Sequence, residues 1–328
     1  MKAIVQTDIS DKTALNWQET SDPICRPGEV IIDIHYTSVN RADLLQAMGY
    51  YPPPPGTTDI IGLDCSGVIS EVGPDQPEGS NWQVGDQVCA LLAGGGYAER
   101  VAVPAGQVMP LPEGYDLEKA AAVPEVACTV WSNLGMLAQL SAGDTVLIHG
   151  GSGGIGSFAI QVAHLKGATV AVTTGTAEKL EYCKQLGADI LINYREDDFV
   201  DIMQEHGGAD IILDIMGAKY LDRNIRALAK DGTIVVIGRQ GGNKAELNLG
   251  LLHDKRASIR TTKLRDRSVP DKAEICRETV ANVWPLLNDG KIDPNLHTVL
   301  PIQEASDAHK LLASGGVTGK IVLQVPRT

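Results

Sequence analysis

The sequence predicts an α/β protein built from a doubly wound, mainly parallel sheet domain and a second, mostly β, barrel-like domain. Three observations support this prediction. Short apolar runs alternate with turn clusters up to about residue 120, strands then alternate with helical patterns up to about residue 264, and a glycine-rich loop joins one such strand to a helix. At 328 residues the chain is long enough for two domains.

Composition and charge exclude several classes of protein. With 43% hydrophobic and 21% charged residues, the chain has an ordinary globular composition. The net charge of -13 disfavours binding to nucleic acid or to anionic membranes. The first residues lack an apolar signal segment, and no apolar run approaches the roughly 18 residues of a membrane span, so we expect a cytoplasmic protein.

Six cysteines are spread along the chain without a CxxC pair. This spacing argues against a disulfide framework and against a cysteine zinc knuckle. We therefore expect reduced thiols that are mostly buried.

The first 120 residues predict β structure with irregular loops. Apolar runs such as "EVIIDIHYTSV" and "CSGVISEVG" are separated by turn residues. The segment "YYPPPPG", from Tyr50 to Gly56, predicts a stiff polyproline loop at the surface.

Helical composition begins near Asp116, a plausible N-cap, and continues through "EVACTVWSNLGMLAQL". Two later helices are predicted at "AEKLEYCKQLG", with Thr176 as N-cap, and at "AKYLDRNIRALAKDG". The strands that alternate with these helical patterns are predicted at "TVLIH", "TVAVTT", "DILIN", "ADIILDI", "TIVVIG" and "ASIRTTKL". The final helix "DKAEICRETVANVWPLLNDG" and strand "GKIVLQV" are expected to return to the first domain.

The loop "HGGSGGIG" matches the spacing G-x-G-x-x-G through Gly151, Gly153 and Gly156. A strand precedes the loop and a helix follows it, which is the context that dinucleotide binding requires. Glycines allow the tight turn and the close approach of a pyrophosphate, while the helix N-terminus attracts its negative charge. The loop therefore predicts a dinucleotide site.

The end of the next strand favours NADPH over NADH. A site selective for NADH places an acidic residue there to bind the ribose 2'-hydroxyl, but this chain has Gly175, flanked by the hydroxyls of Thr174 and Thr176. Lys179 follows and offers a positive partner for a 2'-phosphate, worth on the order of 10- to 100-fold in preference. Glu178, which could reach a ribose, is expected to lie on a solvated helix face.

These motifs, together with "MKAIV", "GLDCSGVISEVG", "AAAVPEVACTVW" and "DIILDIMG", closely resemble the zinc-free quinone oxidoreductases of the medium-chain dehydrogenase/reductase superfamily, the group that includes zeta-crystallin. The resemblance covers essentially the whole chain. It implies a discontinuous GroES-like substrate domain at 1–125 and 266–328, a Rossmann domain at 126–265, and a cleft between them.

The resemblance also implies a site without metal. Where zinc-dependent relatives carry their ligands, this chain has Asn40, Leu63, Asp64 and Glu125. Neither Asn40 nor Leu63 is a zinc ligand. A hard-oxygen metal site formed by Asp64 and Glu125 remains an open alternative.

By resemblance, the cofactor contacts extend from the glycine loop into both predicted domains. They are expected to include Asn40, Thr129, Gly151, Ser152, Gly153, Gly154, Ile155, Gly156, Thr174, Gly175, Lys179, Tyr194, Gly238, Leu264 and Arg265. The relatives' second tyrosine is replaced by Leu45, which leaves Tyr51 as the main hydroxyl near the expected nicotinamide.

The predicted reaction is hydride transfer from NADPH to a quinone, with Tyr51, Asn40 and Arg265 as the catalytic group. Tyr51 would donate a hydrogen bond or a proton, or else only pack on the proline loop. Two alternatives stay open: reduction of an enal or enone double bond, and non-catalytic NADPH binding. The resemblance implies a homodimer or a higher homo-oligomer, with "ASIRTTKL" as the candidate edge strand, and no histidine is assigned to catalysis.

Overall fold

The structure is a computed structural model that describes residues 1–8 and 10–326. The chain divides into two compact units. Unit 1 consists of Met1–Cys128 and Leu264–Thr328, and unit 2 is Thr129–Lys263. One unit is built on a largely antiparallel sheet and the other on a parallel sheet with helices, so the predicted fold class is confirmed.

The strands follow the predicted order along the chain. In the described residues they are β1 (Lys2–Gln6), β2 (Leu15–Glu19), β3 (Glu29–Val39), β4 (Asp64–Val72), β5 (Gln87–Leu91), β6 (Arg100–Pro104), β7 (Val108–Pro110), β8 (Thr145–His149), β9 (Thr169–Thr174), β10 (Ile190–Asn193), β11 (Ala209–Asp214), β12 (Leu228–Val236), β13 (Ser258–Thr261), β14 (Leu296–Pro301) and β15 (Lys320–Gln324).

The helices are mostly short. They are α1 (Arg41–Ala47), α2 (Leu117–Ala120), α3 (Pro124–Val130), α4 (Gly154–Leu165), α5 (Ala177–Gln185), α6 (Phe199–Glu205), α7 (Leu221–Ala227), α8 (Leu249–Asp254), α9 (Val269–Asn288) and α10 (Ala305–Ala313). Among the described residues, no helix combines the length and the apolar character that crossing a membrane requires.

Unit 1 is organised around β3. This strand pairs antiparallel with β4, β6 and β15, within a sheet whose order is β14-β15-β3-β4-β5-β7. Side chains such as Ile32, Ile69 and Leu323 form the apolar core of this unit. Strands β14 and β15, from the last segment of the chain, lie in this sheet, with β15 paired to β3.

Unit 2 is a parallel sheet with the order β10-β9-β8-β11-β12-β13. From β8 the chain proceeds outward to β9 and β10, then returns beside β8 at β11 and proceeds outward on the other side. The strand order therefore reverses between β8 and β11. In doubly wound sheets, ligands bind beyond the carboxyl ends of the strands at such a reversal.

Two predicted helix starts are confirmed by their caps. The Asp116 carboxylate accepts from the backbone N–H of Lys119 at the start of α2, and the Thr176 hydroxyl accepts from Lys179 N–H at the start of α5. Each cap satisfies a backbone donor that the first turn of a helix leaves unpaired.

Three helical regions differ from the sequence interpretation. The helix α1 was not predicted, because its seven residues lie in a stretch dominated by β patterns. The helix predicted through residue 232 ends at Ala227, since Leu228 turns extended (ψ 148°) and starts β12. The predicted helix after Glu125 is α-helical only to Val130 and continues as a π-helix over Trp131–Leu137.

Two histidines are buried in the fold. His149, at the end of β8, uses both ring nitrogens: Nε2 lies 2.8 Å from Asn224 Oδ1 and Nδ1 lies 3.0 Å from Thr173 Oγ1. Burial lowers the pKa of His149 to about 4, because the interior disfavours the charged ring. Burial likewise lowers the pKa of His309, on α10, to about 4.

The lowered pKa of His149 predicts a pH-dependent stability. Between pH 4 and 6.5 the unfolded chain binds a proton at His149 that the folded chain does not, so this residue makes the free energy of unfolding rise with pH. Because the unfolded histidine is half deprotonated at pH 6.5, the increment between pH 4.5 and 6.5 is about 2 kcal/mol. Replacing His149 with Gln should remove that increment from the urea-unfolding free energies measured at pH 4.5 and 6.5. The exposed His253 is the matched control, and equal pH slopes for H149Q, H253Q and the parent chain would contradict the prediction.

Candidate functional site

The glycine loop of unit 2 has the predicted strand-loop-helix context. Strand β8 ends at His149, and α4 begins at Gly154 with Gly153 as its N-cap. Gly150 has a φ of +74°, in the left-handed region that favours glycine, and a Cβ on it would lie 2.6 Å from Ile215 Cδ1. The chain therefore reverses sharply between strand and helix.

The three motif glycines are needed for different reasons. A Cβ on Gly156 would lie 2.3 Å from the carbonyl oxygen of Gly150, and a Cβ on Gly151 would lie 2.9 Å from Val172 Cβ, so the fold itself requires both. Gly153 has an ordinary φ of -78°, and its Cβ would come no closer than 3.7 Å to Gly150 O. The fold leaves room at Gly153, which fits the close approach of a phosphate to the N-terminus of α4.

The other predicted residues of this loop surround the first turn of α4. Ser152 is buried, whereas Gly154 and Ile155 are half-buried. This places the predicted phosphate contacts in unit 2 around one helix end, as the motif requires.

A second feature of unit 2 lies where β9 and β10 end. Thr174 and Gly175 are buried, and a Cβ on Gly175 would lie 2.5 Å from Tyr194 Oη and 3.3 Å from Arg195 Nε. Tyr194 itself is 46% exposed, so its ring covers Gly175 from the solvent side. Lys179 lies in the first turn of α5, where its N–H donates to the Thr176 hydroxyl at 3.4 Å.

Arg195 is the residue that sequence reasoning missed. Strands β9 and β10 are parallel neighbours in which Thr174 is opposite Asn193, so the residues that follow them emerge at the same edge. Arg195 could therefore have been found from the strand assignment. It lies two positions after the end of β10, beside Gly175, which directly follows β9. Its Nε lies beside Gly175, so Arg195 is a candidate cation in addition to Lys179, the one that the sequence identified.

Glu178 is the acidic side chain near the end of β9, and its contacts are local. The pKa of its carboxyl is lowered by a hydrogen bond from its own backbone N–H and by another from the Thr176 hydroxyl. These contacts direct the exposed carboxylate to the start of α5.

Two further predicted contacts lie elsewhere in unit 2. Thr129 is buried, and its carbonyl oxygen accepts from Asn133 Nδ2 at 2.7 Å. Gly238 follows β12, and a Cβ on it would lie 2.8 Å from Ile215 O. The close backbone approach explains the glycine, while cofactor contact by either residue stays a prediction.

Unit 1 holds a buried polar cluster around Asn40. The Asp64 carboxylate accepts from Ser38 Oγ at 2.7 and 2.8 Å, from Ser38 N–H at 3.1 Å and from Asn40 Nδ2 at 3.3 Å. Lys320 Nζ donates to Asn40 Oδ1 and lies 3.9 Å from Asp64 Oδ2. None of these side chains is more than 6% exposed. Burial raises the pKa of Asp64, while Lys320 and the Ser38 and Asn40 donors act against that rise.

The predicted absence of a metal concerns this cluster. Leu63 is buried and apolar, and Asp64 is surrounded by donors from protein groups. Within residues 1–8 and 10–326, no group of three or more His, Cys, Asp or Glu side chains is arranged to hold a metal ion. The zinc-free assignment nevertheless stays a prediction.

A second buried group adjoins Asn40 on α1. The Asn40 N–H donates to Asp43 Oδ2 at 2.7 Å, and the Tyr97 hydroxyl donates to the same oxygen at 3.3 Å. Tyr97 Oη also lies 3.2 Å from His309 Nε2. Burial raises the pKa of Asp43 to about 7. These contacts fix the start of α1 and with it the backbone of Asn40.

Arg265, a member of the predicted catalytic group, makes its observed hydrogen bonds to protein acceptors. Its side chain is 3% exposed and donates to three protein acceptors in unit 1: Ala93 O at 2.6 Å, Tyr51 O at 3.1 Å and Gln46 Oε1 at 2.8 Å. The guanidinium also lies 5.5 Å from the centre of the Tyr51 ring. Arg265 thus anchors the Tyr51 loop, and direct contact of Arg265 or the half-buried Leu264 with a ligand stays a prediction.

Comparison with known protein families identifies two matches. Residues 26–113 match the alcohol dehydrogenase GroES-like domain, and residues 154–283 match the zinc-binding dehydrogenase family. Each match falls within one of the two units, apart from the part of the second that continues beyond Lys263.

A curated relative is the phthioceranic/hydroxyphthioceranic acid synthase of Mycobacterium tuberculosis, 32% identical over 307 residues. The alignment covers 92% of this chain but only 14% of that protein's length. The structure of CurK enoyl reductase has 25% identity and a TM-score of 0.86, with 99% of both chains covered.

Two other solved structures are similar along their whole length. Escherichia coli quinone oxidoreductase complexed with NADPH is 25% identical, with a TM-score of 0.86 and 98% of each chain covered. A probable oxidoreductase from Mycobacterium abscessus is 31% identical, with a TM-score of 0.83, 99% of this chain covered and 98% of that one. The two domain matches and this full-length similarity show that the chain belongs to the medium-chain dehydrogenase/reductase superfamily of oxidoreductases.

Proposed function

We propose that this oxidoreductase binds NADPH and transfers its hydride to a quinone without the aid of a metal. The observation that carries the cofactor assignment is the end of β9, where Gly175 stands in place of an acidic residue and Lys179 and Arg195 supply positive charge. An acid at this position would repel a 2'-phosphate, whereas two cations attract it.

Unit 2 offers groups for the pyrophosphate and for the 2'-phosphate of NADPH. The open space at Gly153 and the N-terminus of α4 would receive the pyrophosphate. The 2'-phosphate would lie against Gly175, with Lys179, Arg195 and the Tyr194 hydroxyl as its partners. When bound, NADPH supplies a hydride from C4 of the nicotinamide.

The protein's part in quinone reduction is to position the acceptor and to stabilise its oxygen. A quinone takes up one hydride and one proton to become a hydroquinone, and aromatisation already favours that product. Such an acceptor needs hydrogen-bond donors more than a Lewis acid. We assign this role to the Tyr51 hydroxyl and the Asn40 amide. The buried Leu63 in the expected ligand set supports a zinc-free site and a place in the zinc-free quinone oxidoreductase group.

The second candidate is reduction of the double bond of an enal or enone. It is supported by the similarity to CurK enoyl reductase and to the mycobacterial acid synthases. Hydride addition to a conjugated carbonyl compound has similar geometry, so the binding site alone does not separate the two acceptors. A non-catalytic NADPH-binding protein is the remaining alternative.

We also propose a homodimer that forms through β13. This strand is an edge of the unit 2 sheet in the described residues, because it pairs only with β12. An unpaired edge can add the same strand of a second copy. Sedimentation measurements would decide the oligomeric state. We also propose that the protein is cytoplasmic.

Replacing the two cations should change cofactor preference. Each of K179A and R195Q should weaken NADPH binding by about 10- to 100-fold, because each removes one charge-assisted hydrogen bond to the 2'-phosphate. NADH binding should stay within about twofold, since that cofactor lacks the phosphate. Fluorescence titration with both cofactors measures these constants. K184A, on the exposed side of α5, is the control, and equal losses for NADH and NADPH would contradict the assignment.

Acceptor specificity tests the proposed reaction directly. Steady-state oxidation of NADPH should be faster with 1,4-benzoquinone or 9,10-phenanthrenequinone than with a 2-alkenal. A faster rate with the alkenal would favour the second candidate. Tight NADPH binding without oxidation by any acceptor would favour the non-catalytic alternative and reject both reactions.

The hydroxyl of Tyr51 should matter for turnover. Y51F should lower kcat with a small quinone by about 10- to 100-fold, since it removes a hydrogen bond to an oxygen that becomes negatively charged. The neighbouring Tyr50 is 73% exposed, so Y50F is the matched control. If Y51F turns over quinone at the parental rate, Tyr51 only packs on the proline loop.

A further inference from the structure

The ends of three strands bring Asn40, Asp64 and Lys320 together. Asn40 directly follows β3, while Asp64 and Lys320 are the first residues of β4 and β15. Because β3 is antiparallel to both neighbours, its carboxyl end lies beside the amino ends of the other two. Residues 24 and 280 positions from Asn40 thereby contact the same side chain.

This arrangement fixes which way the Asn40 amide points. Lys320 Nζ can only donate, and it donates to Asn40 Oδ1. The Asp64 carboxylate can only accept while ionised, and Asn40 Nδ2 donates to it at 3.3 Å. Rotating the amide by 180° would place N–H groups against an ammonium and a carbonyl oxygen against a carboxylate. The amide oxygen is therefore committed to Lys320. The amide nitrogen, which also lies 3.5 Å from Ser38 O and Ser38 Oγ, is the group that a ligand of Asn40 would meet.

We propose that Lys320 is a positioning residue that makes Asn40 a hydrogen-bond donor to the carbonyl oxygen of the acceptor. This inference rests on the proposed function, in which Asn40 lies at the acceptor. It also specifies the ligand: Asn40 recognises an oxygen that accepts a hydrogen bond, as a quinone or a conjugated carbonyl compound offers.

The buried charge strengthens this donor as well as orienting it. Lys320 is 3% exposed, and its hydrogen bond goes to the amide, since Asp64 Oδ2 at 3.9 Å lies beyond hydrogen-bond distance. A cation at the amide oxygen draws electron density from the amide nitrogen and makes its N–H more acidic. The acceptor oxygen gains negative charge only as hydride arrives, so the benefit appears mainly in the transition state. Loss of Lys320 should therefore affect kcat more than KM.

The first test replaces Lys320 with a neutral side chain of similar length. K320M should lower kcat for the preferred acceptor by about tenfold or more, while the NADPH dissociation constant and the acceptor KM stay within about twofold. K320R should recover much of the lost kcat, because it keeps a donor and a charge. Lys310 is 61% exposed on α10, so K310M is the control. An unchanged kcat in K320M, or a loss confined to NADPH binding, would overturn the proposal.

A second variant guards against loss of folding. K320M leaves the buried Asp64 carboxylate without its cation, which destabilises a folded protein. The double variant K320M/D64N removes both charges and keeps the shapes of the side chains. It should fold and keep the low kcat, because no cation then holds the Asn40 amide oxygen, and only the longer 3.5 Å contacts of its nitrogen with Ser38 remain. Recovery of the parental kcat in the double variant would show that Lys320 only balances Asp64, and would overturn the proposal.

A spectroscopic measurement separates this inference from the proposed reaction. In protein labelled with ¹⁵N-asparagine, the side-chain NH2 signals of Asn40, assigned through an N40D variant, should be shifted and slow to exchange. Both properties should be lost in K320M and retained in K310M. Identical Asn40 signals in K320M and the parent chain would overturn the positioning role even if quinone turnover is confirmed. If no acceptor is reduced, the reaction is rejected, and the link from Lys320 to an acceptor is rejected with it.

Discussion

A positive charge buried where three strands end is the constraint on which the polar interior of unit 1 depends. Lys320 cannot leave water without a partner, and the hydrogen bond that it makes is to Asn40. Lys320 also balances the charge of Asp64, whose carboxylate accepts hydrogen bonds from the N–H and the hydroxyl of Ser38. The antiparallel pairing of β3 with β4 and β15 is what makes this arrangement possible. The register of these strands therefore decides which side chains meet, and the hydrogen bonds between those side chains stabilise that register.

Unit 2 depends on a steric constraint instead. A Cβ on Gly156 would lie 2.3 Å from Gly150 O, so any residue other than glycine would clash with the backbone there. That close approach lets α4 start directly against the end of β8, so that its N-terminal N–H groups face the loop. A helix of twelve residues supplies a dipole that attracts an anion there. In the proposed site of this unit, backbone N–H groups would bind the pyrophosphate, while the absence of a side chain at Gly175 and the charge of Lys179 would select the cofactor.

The difference between these two constraints explains what could be predicted from the sequence. The strand and helix around the glycine loop, the caps at Asp116 and Thr176 and most strands of unit 2 depend on neighbours within a few residues and were predicted correctly, whereas the first half of β12 was predicted as helix. The contact of Lys320 with Asn40 joins residues 280 positions apart, and no local pattern encodes it. The resemblance pointed to Arg265, but the sequence does not show the three acceptors that its guanidinium contacts, because they lie at least 172 positions away. Arg195 required only the register of two neighbouring strands, so it lay within reach of sequence reasoning.

The positive groups also show why net charge and local charge lead to different conclusions. The chain carries a net charge of -13, which opposes binding to an extended polyanion that spans much of its surface. A dinucleotide contacts only a small part of that surface. Beyond about 8 Å at physiological salt, the remaining carboxylates are largely screened. Lys179 and Arg195 at the edge of β9 and β10 can therefore dominate the potential that a 2'-phosphate experiences. A net negative charge is in this way compatible with selection of the more highly charged of two nicotinamide cofactors.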